Sequence, residues 1–159
     1  MNREQFISHT EGVQRELRRF LTALCCGDRQ LADDIAQESL IKAYLSCGGF
    51  REEAKFSSWI FRIAYNTFLN HRRDKRRTVG YDEAPDTPGD DTADSSFRYQ
   101  ELYSALNGLP PKERTALLLH YLEGYSVREI SEIVEASEAA VKQHLSRGRN
   151  HLRETLDNT

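Results

Sequence analysis

One stretch of the sequence, residues 78–96, limits how the whole chain can fold. It reads TVGYDEAPDTPGDDTADSS, with six acidic residues, two prolines, two glycines and no lysine or arginine. Such a polar, turn-rich segment carries too little apolar surface to join a packed core. We therefore predict a flexible acidic linker at 78–96, which leaves residues 1–77 and 97–159 as two small modules.

The C-terminal module contains the pattern of two short helices joined by a tight turn. Ser126 and Glu129 have the spacing of a capping box, and the apolar residues of VREISEIV follow at helical spacing. Ser137 can cap a second helix at 137–156, whose apolar stripe lies opposite lysine, arginine, glutamine and asparagine side chains. A supporting helix at 111–124 would complete a helix-turn-helix. The basic second helix could then enter a DNA major groove, although a solvated surface helix would show the same pattern.

The N-terminal module also shows helical periodicity, so the predicted fold is all-α throughout. Apolar residues recur at helical spacing in 12–26, in 28–46 and, after a loop, in 57–77. The last of these helices ends with five cations and one acid in residues 72–77, more than the helix dipole alone requires. We place Phe56 in the preceding loop, where its ring could stack on an unpaired base.

The sequence lacks the residues that enzymes, metal sites and membrane proteins need. Its five histidines and three cysteines show no metal-ligand spacing, and no glycine-rich loop could hold a phosphate. No segment approaches the roughly 20 apolar residues of a membrane span, and MNREQFISH is not the start of a signal peptide. We expect no catalytic residue, no metal, no cofactor and no membrane insertion, and a cytoplasmic location.

Four segments of the chain carry a resemblance to a known family. They are ADDIAQESLIKAYLS, FSSWIFRIAYNTFLNHRRDKRR, LPPKERTALLLHYLEGYSVREISEIV and SEAAVKQHLSRGRNHLRETL. In this order they resemble the extracytoplasmic-function (ECF) group of bacterial RNA polymerase sigma factors, and four motifs in family order are specific. The resemblance covers most of residues 10–156. It implies a subunit that binds the RNA polymerase core and directs promoter recognition and opening, with an anti-sigma factor as a further partner.

The resemblance also implies roles for particular residues. Contact with the polymerase core is implied for four residues of the second helix: Asp33, Asp34, Gln37 and Glu38. Capture of flipped bases of the −10 promoter strand is implied for Phe56 and Asn70, and contact with that strand's backbone for Arg72, Arg73, Arg76 and Arg77. Reading of the duplex −35 element is implied for six residues of the helix-turn-helix: Ser137, Lys142, Gln143, Ser146, Arg147 and Arg149.

Several positions depart from the family's usual pattern. Glu135 stands in the turn where relatives commonly have glycine, and a non-glycine residue in a left-handed conformation costs of order 1 kcal/mol or more. Ala140 replaces a frequent hydroxyl residue and His144 a frequent arginine, so a relative's −35 preference does not carry over. Gly148 inside the second helix costs about 1 kcal/mol against alanine, unless close packing or the approach of DNA requires it.

A stand-alone helix-turn-helix regulator, which binds duplex DNA without melting it, is the alternative. Such a regulator would need only the C-terminal module. It would have no use for an acid-faced helix beside a basic, aromatic one. We therefore favour a transcription-initiation subunit in which both modules act.

Overall fold

The structure, a computed structural model, describes residues 1–50, 55–79 and 97–157. Seven α-helices make up most of this part of the chain: α1 (Arg3–Leu24), α2 (Arg29–Ser46), α3 (Phe56–Val79), α4 (Phe97–Asn107), α5 (Pro111–Leu117), α6 (Val127–Val134) and α7 (Glu138–Asp157). A 3-10 turn at Cys47–Gly49 and a π-helical turn at Leu118–Leu122 complete them. These ranges contain no strand, which confirms the all-α prediction. None of their helices has the length and apolar character of a membrane span.

The predicted linker lies mostly outside the described residues. α3 continues to Val79, so the helix takes up the first two residues of the range 78–96. Residues 80–96 belong to the part of the chain that the structure does not describe.

The N-terminal module is a three-helix unit of α1, α2 and α3. α1 begins at Arg3, well before the predicted start at residue 12, because Asn2 and Gln5 form a capping box and Phe6 is buried. α2 begins where Asp28 accepts a hydrogen bond from the backbone of Leu31, at 3.1 Å. Their apolar faces and that of α3 share a core that includes Phe20, Ile35 and Phe61.

Phe56 is the first residue of α3, so its predicted place in a loop is wrong. Its ring is only 9% exposed. It lies against the rings of Phe6, Phe50 and Trp59 at centroid distances of 5.8, 5.9 and 5.7 Å, and His9 stacks on it at 5.2 Å. Burial of this aromatic cluster accounts for a helix that begins at Phe56, one residue before the predicted start at 57.

The C-terminal module forms the predicted helix-turn-helix. Ser126 and Glu129 exchange the two hydrogen bonds of a capping box, each at 3.1 Å. Ser137 caps α7 by accepting a hydrogen bond from the backbone of Ala140. Between the two helices, Glu135 keeps the left-handed conformation, with φ 55° and ψ 48°. The turn geometry typical of glycine is therefore present even though the residue is glutamate.

Close packing explains the glycine inside α7. A Cβ atom on Gly148 would lie 2.8 Å from Cδ1 and 3.1 Å from Cγ of Leu117 on α5. Leu117 is itself buried, at 4% exposed, so its side chain has little room to move aside. Gly148 thus sets how closely the second helix of the motif lies against its supporting helix.

The two modules pack against each other around one continuous core. α3 contacts α6, and α1 contacts the π-helical turn. Arg114 of α5, which is 1% exposed, crosses the boundary and donates hydrogen bonds to the carbonyl oxygens of Leu24 (2.8 Å) and Leu106 (2.9 Å). The Leu24 carbonyl ends α1, where helix carbonyls lack helical partners. The guanidinium therefore ties the end of α1 to the C-terminal module.

Candidate nucleic-acid interface

The exposed face of α2 combines acidic, polar and apolar side chains. Asp34, Gln37, Ile41 and Leu45 follow at spacings of three or four residues, which places them on one side of the helix. Ile41 is 61% exposed and Leu45 is 74% exposed. Sequence reasoning identified the acidic half of this face and did not identify the apolar half.

The other two residues predicted on this helix are engaged within the module. Asp33 accepts a hydrogen bond from Arg18 of α1 at 2.8 Å. Glu38 Oε2 lies 2.6 Å from His71 Nε2 on α3, and Glu38 Oε1 lies 3.3 Å from Lys42 Nζ. The hydrogen bond to His71 is the main reason that the pKa of Glu38 lies below its ordinary value. Glu38 thus connects the predicted polymerase-binding helix to α3.

A polar stripe runs along α3 and is exposed over its whole length. We define the α3 stripe as six residues: Lys55, Arg62, Asn66, Asn70, Arg73 and Arg77. Arg62 to Arg77 recur every three or four residues, so they share one face of the helix, and Lys55 precedes its first turn. The stripe spans about 33 Å at 1.5 Å per residue. Trp59, which is half-buried, lies on the same side and packs against Phe50 at 5.0 Å.

The structure brings together only some of the predicted −10 residues. Asn70, Arg73 and Arg77 belong to the α3 stripe, whereas Arg72 lies over the ring of Phe68 at 5.8 Å, on another side of the helix. Arg76, four residues after Arg72, follows that second side. Sequence reasoning did not predict the first half of the α3 stripe, which consists of Lys55, Arg62 and Asn66. The polar spacing of Arg62, Asn66 and Asn70 was the sequence signal that could have revealed it.

The second helix of the motif, α7, exposes a polar face. Lys142, Gln143, Ser146 and Arg147 are exposed there, as predicted for a helix that reads duplex DNA. Arg149 is also exposed, but its Nη1 donates a hydrogen bond to the Tyr121 hydroxyl at 3.1 Å, which draws it toward the π-helical turn. Ser137 lies at the start of this face as the cap of the helix.

His144 lies at the edge of the polar face of α7. Its partial burial and the nearby Lys112 lower its pKa below the ordinary value. At neutral pH the ring is therefore uncharged. The position thus supplies no positive charge to the polar face of α7 at neutral pH.

An apolar groove opens between α1, α4, α7 and the π-helical turn. It has a volume of about 860 Å³. Tyr99, Leu102, Tyr121 and Leu122 line it and are 56%, 40%, 62% and 37% exposed. Five arginines also line it: Arg18, Arg19, Arg29, Arg149 and Arg153. Sequence reasoning did not find this groove, because its walls come from both modules.

Two sigma-factor domain families match the chain. The family described as "Sigma-70 region 2" matches residues 10–78, and "Sigma-70, region 4" matches residues 99–152. The RNA polymerase sigma-H factor of Pseudomonas aeruginosa is 31% identical over 144 residues, which cover 81% of this chain and 75% of that protein. The ECF RNA polymerase sigma factor SigW of Bacillus subtilis is 32% identical over 145 residues, which cover 82% and 78%.

Solved structures of similar proteins share the arrangement of helices. The sigma factor RpoE from Bartonella quintana, in complex with the anti-sigma factor NepR, matches with a TM-score of 0.86 at 27% identity. This match covers 97% of this chain and 98% of that one. CnrH, in complex with the cytosolic domain of CnrY, shares the fold with a TM-score of 0.75 at 22% identity, over 99% and 90% of the two chains. The chain belongs to the sigma-70 family of RNA polymerase sigma factors, in its ECF group.

Proposed function

We propose that the two modules of this sigma factor divide promoter recognition between them. As a member of its family the chain binds the RNA polymerase core and directs it to promoters, where transcription is initiated. The main observation in support of the division is that one chain exposes both a basic stripe on α3 and the polar face of α7. A stand-alone regulator would need only the polar face of α7. We place the N-terminal module at 1–77, the linker at 78–96 and the C-terminal module at 97–159, in the cytoplasm.

The exposed face of α2 is our proposed docking surface for the polymerase core. Asp34 and Gln37 are available there, and within the described residues neither forms an ion pair. Ile41 and Leu45 extend the surface, since two large apolar side chains on one exposed face favour a protein partner. Asp33 and Glu38 flank it. Asp33 accepts a hydrogen bond from Arg18 of α1, and Glu38 lies within hydrogen-bond distance of His71 on α3. Glu38 therefore acts in part by fixing α2 relative to the α3 stripe.

We assign the melted −10 strand to α3. Asn70, Arg73 and Arg77 would follow the strand along the exposed stripe, with Arg72 and Arg76 meeting its backbone from the side. Phe56 has little free ring surface, so its role here is to support Trp59, whose half-buried ring is better placed to stack on a base. Base stacking of this kind is worth about 1–3 kcal/mol per base. Stacking on Trp59 would favour the open promoter, because only a base that has left the duplex can stack on the ring.

We assign the duplex −35 element to α7. Gln143 and Ser146 lie at the middle of its exposed face, where side chains can reach base edges, and Lys142 and Arg147 lie at its sides, where cations meet phosphates. Ser137 presents the start of the helix to the DNA backbone. Arg149 would contribute only when it leaves Tyr121.

An anti-sigma factor is our proposed occupant of the apolar groove. The groove offers apolar walls and an arginine-rich rim, which suits an amphipathic helix with acidic side chains. The matched RpoE structure, which was solved with an anti-sigma factor bound, supports an anti-sigma factor as the kind of partner. Polymerisation belongs to the polymerase, so we assign this chain no catalytic residue and no cofactor.

Promoter binding and opening with and without core polymerase test the proposed function. We expect the chain to recognise and melt a promoter only with core present. We expect Trp59→Ala and Asn70→Ala to reduce opening of a duplex promoter, and a pre-melted template to restore transcription in part. Tight, specific duplex binding by the chain alone, without melting, would favour the stand-alone regulator instead.

A further inference from the structure

One row of side chains on α7 belongs to two different surfaces. Lys142, Ser146, Arg149 and Arg153 follow at spacings of three or four residues, so they share one side of the helix. The first two lie on the exposed polar face that we assign to the −35 element. Arg149 and Arg153 also line the apolar groove. Arg149 therefore lies where the DNA-reading face passes into the wall of the groove.

A tyrosine turns the side chain of Arg149 toward the groove. Arg149 Nη1 donates a hydrogen bond to the hydroxyl of Tyr121 at 3.1 Å. Tyr121 is 62% exposed, and Arg149 is exposed as well. No carboxylate pairs with Arg149 in residues 1–50, 55–79 and 97–157. The guanidinium is thus held by a neutral acceptor.

The turn that presents Tyr121 is fixed by its neighbours. Tyr121 belongs to the π-helical turn, and turns of this kind occur frequently at functional sites. His120 Nδ1 lies 2.9 Å from the carbonyl oxygen of Tyr125, and it donates the hydrogen bond because a carbonyl can only accept. The same imidazole lies edge-on to the ring of Tyr121, at a centroid distance of 4.9 Å. The hydroxyl is therefore a fixed acceptor, and the partner that can move is the long arginine side chain.

We propose that Tyr121 is a positioning residue that holds Arg149 in the groove wall, and that its hydroxyl competes with the phosphates of the −35 element for the guanidinium. The proposal rests on the proposed role of α7 in reading that element. A phosphate oxygen is charged and is the stronger acceptor, so DNA can draw Arg149 away from the neutral hydroxyl. Loss of the bond to Tyr121 nevertheless subtracts from the affinity for DNA. Tyr121 thereby sets how much Arg149 adds to −35 recognition.

The test deletes one hydroxyl and measures DNA binding by the assembled holoenzyme. Tyr121→Phe removes the acceptor and keeps the ring in place. The matched control, Tyr99→Phe, deletes the hydroxyl of a tyrosine that is 56% exposed in the same groove and forms no side-chain hydrogen bond within the described residues. Each chain is assembled with core polymerase. The affinity for a fluorescein-labelled promoter duplex, on which the wild-type holoenzyme initiates, is measured by anisotropy at several salt concentrations.

We expect Tyr121→Phe to bind the duplex about two- to fivefold more tightly than wild type or Tyr99→Phe, since a hydrogen bond between exposed side chains is weak. Its affinity should also fall more steeply with salt, because each phosphate contact adds up to about 0.9 to the slope of log affinity against log salt. In an Arg149→Met background, Tyr121→Phe should have no effect, since the hydroxyl then has no guanidinium to hold.

Equal affinities of Tyr121→Phe and Tyr99→Phe would overturn the positioning role. A gain that persists in the Arg149→Met background would also overturn it, because the hydroxyl would then act on something other than Arg149. So would a loss of affinity in Tyr121→Phe, since the hydroxyl would then assist DNA binding.

Gln143→Ala separates this inference from the function on which it rests. If Gln143→Ala and Arg149→Met both bind the duplex as wild type does, α7 does not read the −35 element, and both proposals fail. If both weaken binding while Tyr121→Phe matches its control, the assignment of α7 stands and only the role of Tyr121 is refuted.

Discussion

Replacement of Gly148 by alanine tests whether close packing of α7 on α5 sets the position of the DNA-reading helix. Alanine gains about 1 kcal/mol over glycine in a helix interior. The new Cβ would lie 2.8 and 3.1 Å from two carbons of the buried Leu117, and overpacking of this kind typically costs 1–3 kcal/mol. The balance is a loss of about 0–2 kcal/mol in the free energy of unfolding. We also expect weaker −35 recognition, because α7 must move outward.

A second glycine of the chain supplies the control. Gly12 lies inside α1, and an added Cβ there meets nothing within 4 Å, so Gly12→Ala should stabilise the protein by roughly 0.5–1 kcal/mol. Urea unfolding of both variants, followed by circular dichroism, measures the difference. If Gly148→Ala raises the free energy of unfolding as much as Gly12→Ala does, the argument from packing is refuted.

Three further predictions concern the polymerase face, the module boundary and the response to pH. Ile41→Ser with Leu45→Ser should weaken binding to core polymerase about tenfold in a pull-down titration, because buried apolar anchors commonly contribute more than 1 kcal/mol. The single change Ile7→Ser, on an α1 side chain that is 53% exposed, serves as a control and should not weaken binding. Arg114→Met should lower the free energy of unfolding by roughly 2–4 kcal/mol, since the buried carbonyls of Leu24 and Leu106 lose their guanidinium donor. A loss below about 1 kcal/mol would contradict this reasoning. As pH falls from the ordinary histidine value of 6.5 through the lowered pKa of His144, the wild type should lose stability, because folding disfavours the charged ring. His144→Gln should remove that part of the pH dependence of urea unfolding.

Local chemistry accounts for the elements that the sequence predicts well. Ser126 and Glu129 form the capping box that their spacing indicated, and Gly124, with φ 77°, ends the helical segment before it. Helix starts and stops of this kind depend on residues within one turn of each other, so a short window of sequence contains the whole cause. The helix-turn-helix was predictable for that reason.

Long-range packing accounts for what the sequence did not predict. Phe56 reads as a loop residue until Phe6 and Phe50, which lie far from each other in the sequence, are brought around it. Arg114 reads as one cation of an amphipathic helix, yet its partner is a carbonyl 90 residues away. Neither contact has a periodicity or a spacing that a window of sequence could reveal. The α3 stripe was predictable from spacing, but the ion pairs that Lys55 and Arg62 form with the other module were not.

Local backbone geometry and a long-range contact both bear on Glu135. The turn needs a left-handed backbone, for which glycine is the least strained choice, and glutamate there costs of order 1 kcal/mol. An exposed ion pair such as that with Arg62 returns at most a similar amount, so stability alone does not explain the residue. A residue that breaks a local rule without a net gain in stability points to function. What the carboxylate does is join the modules, since it accepts a hydrogen bond from Arg62 of α3 at 2.8 Å.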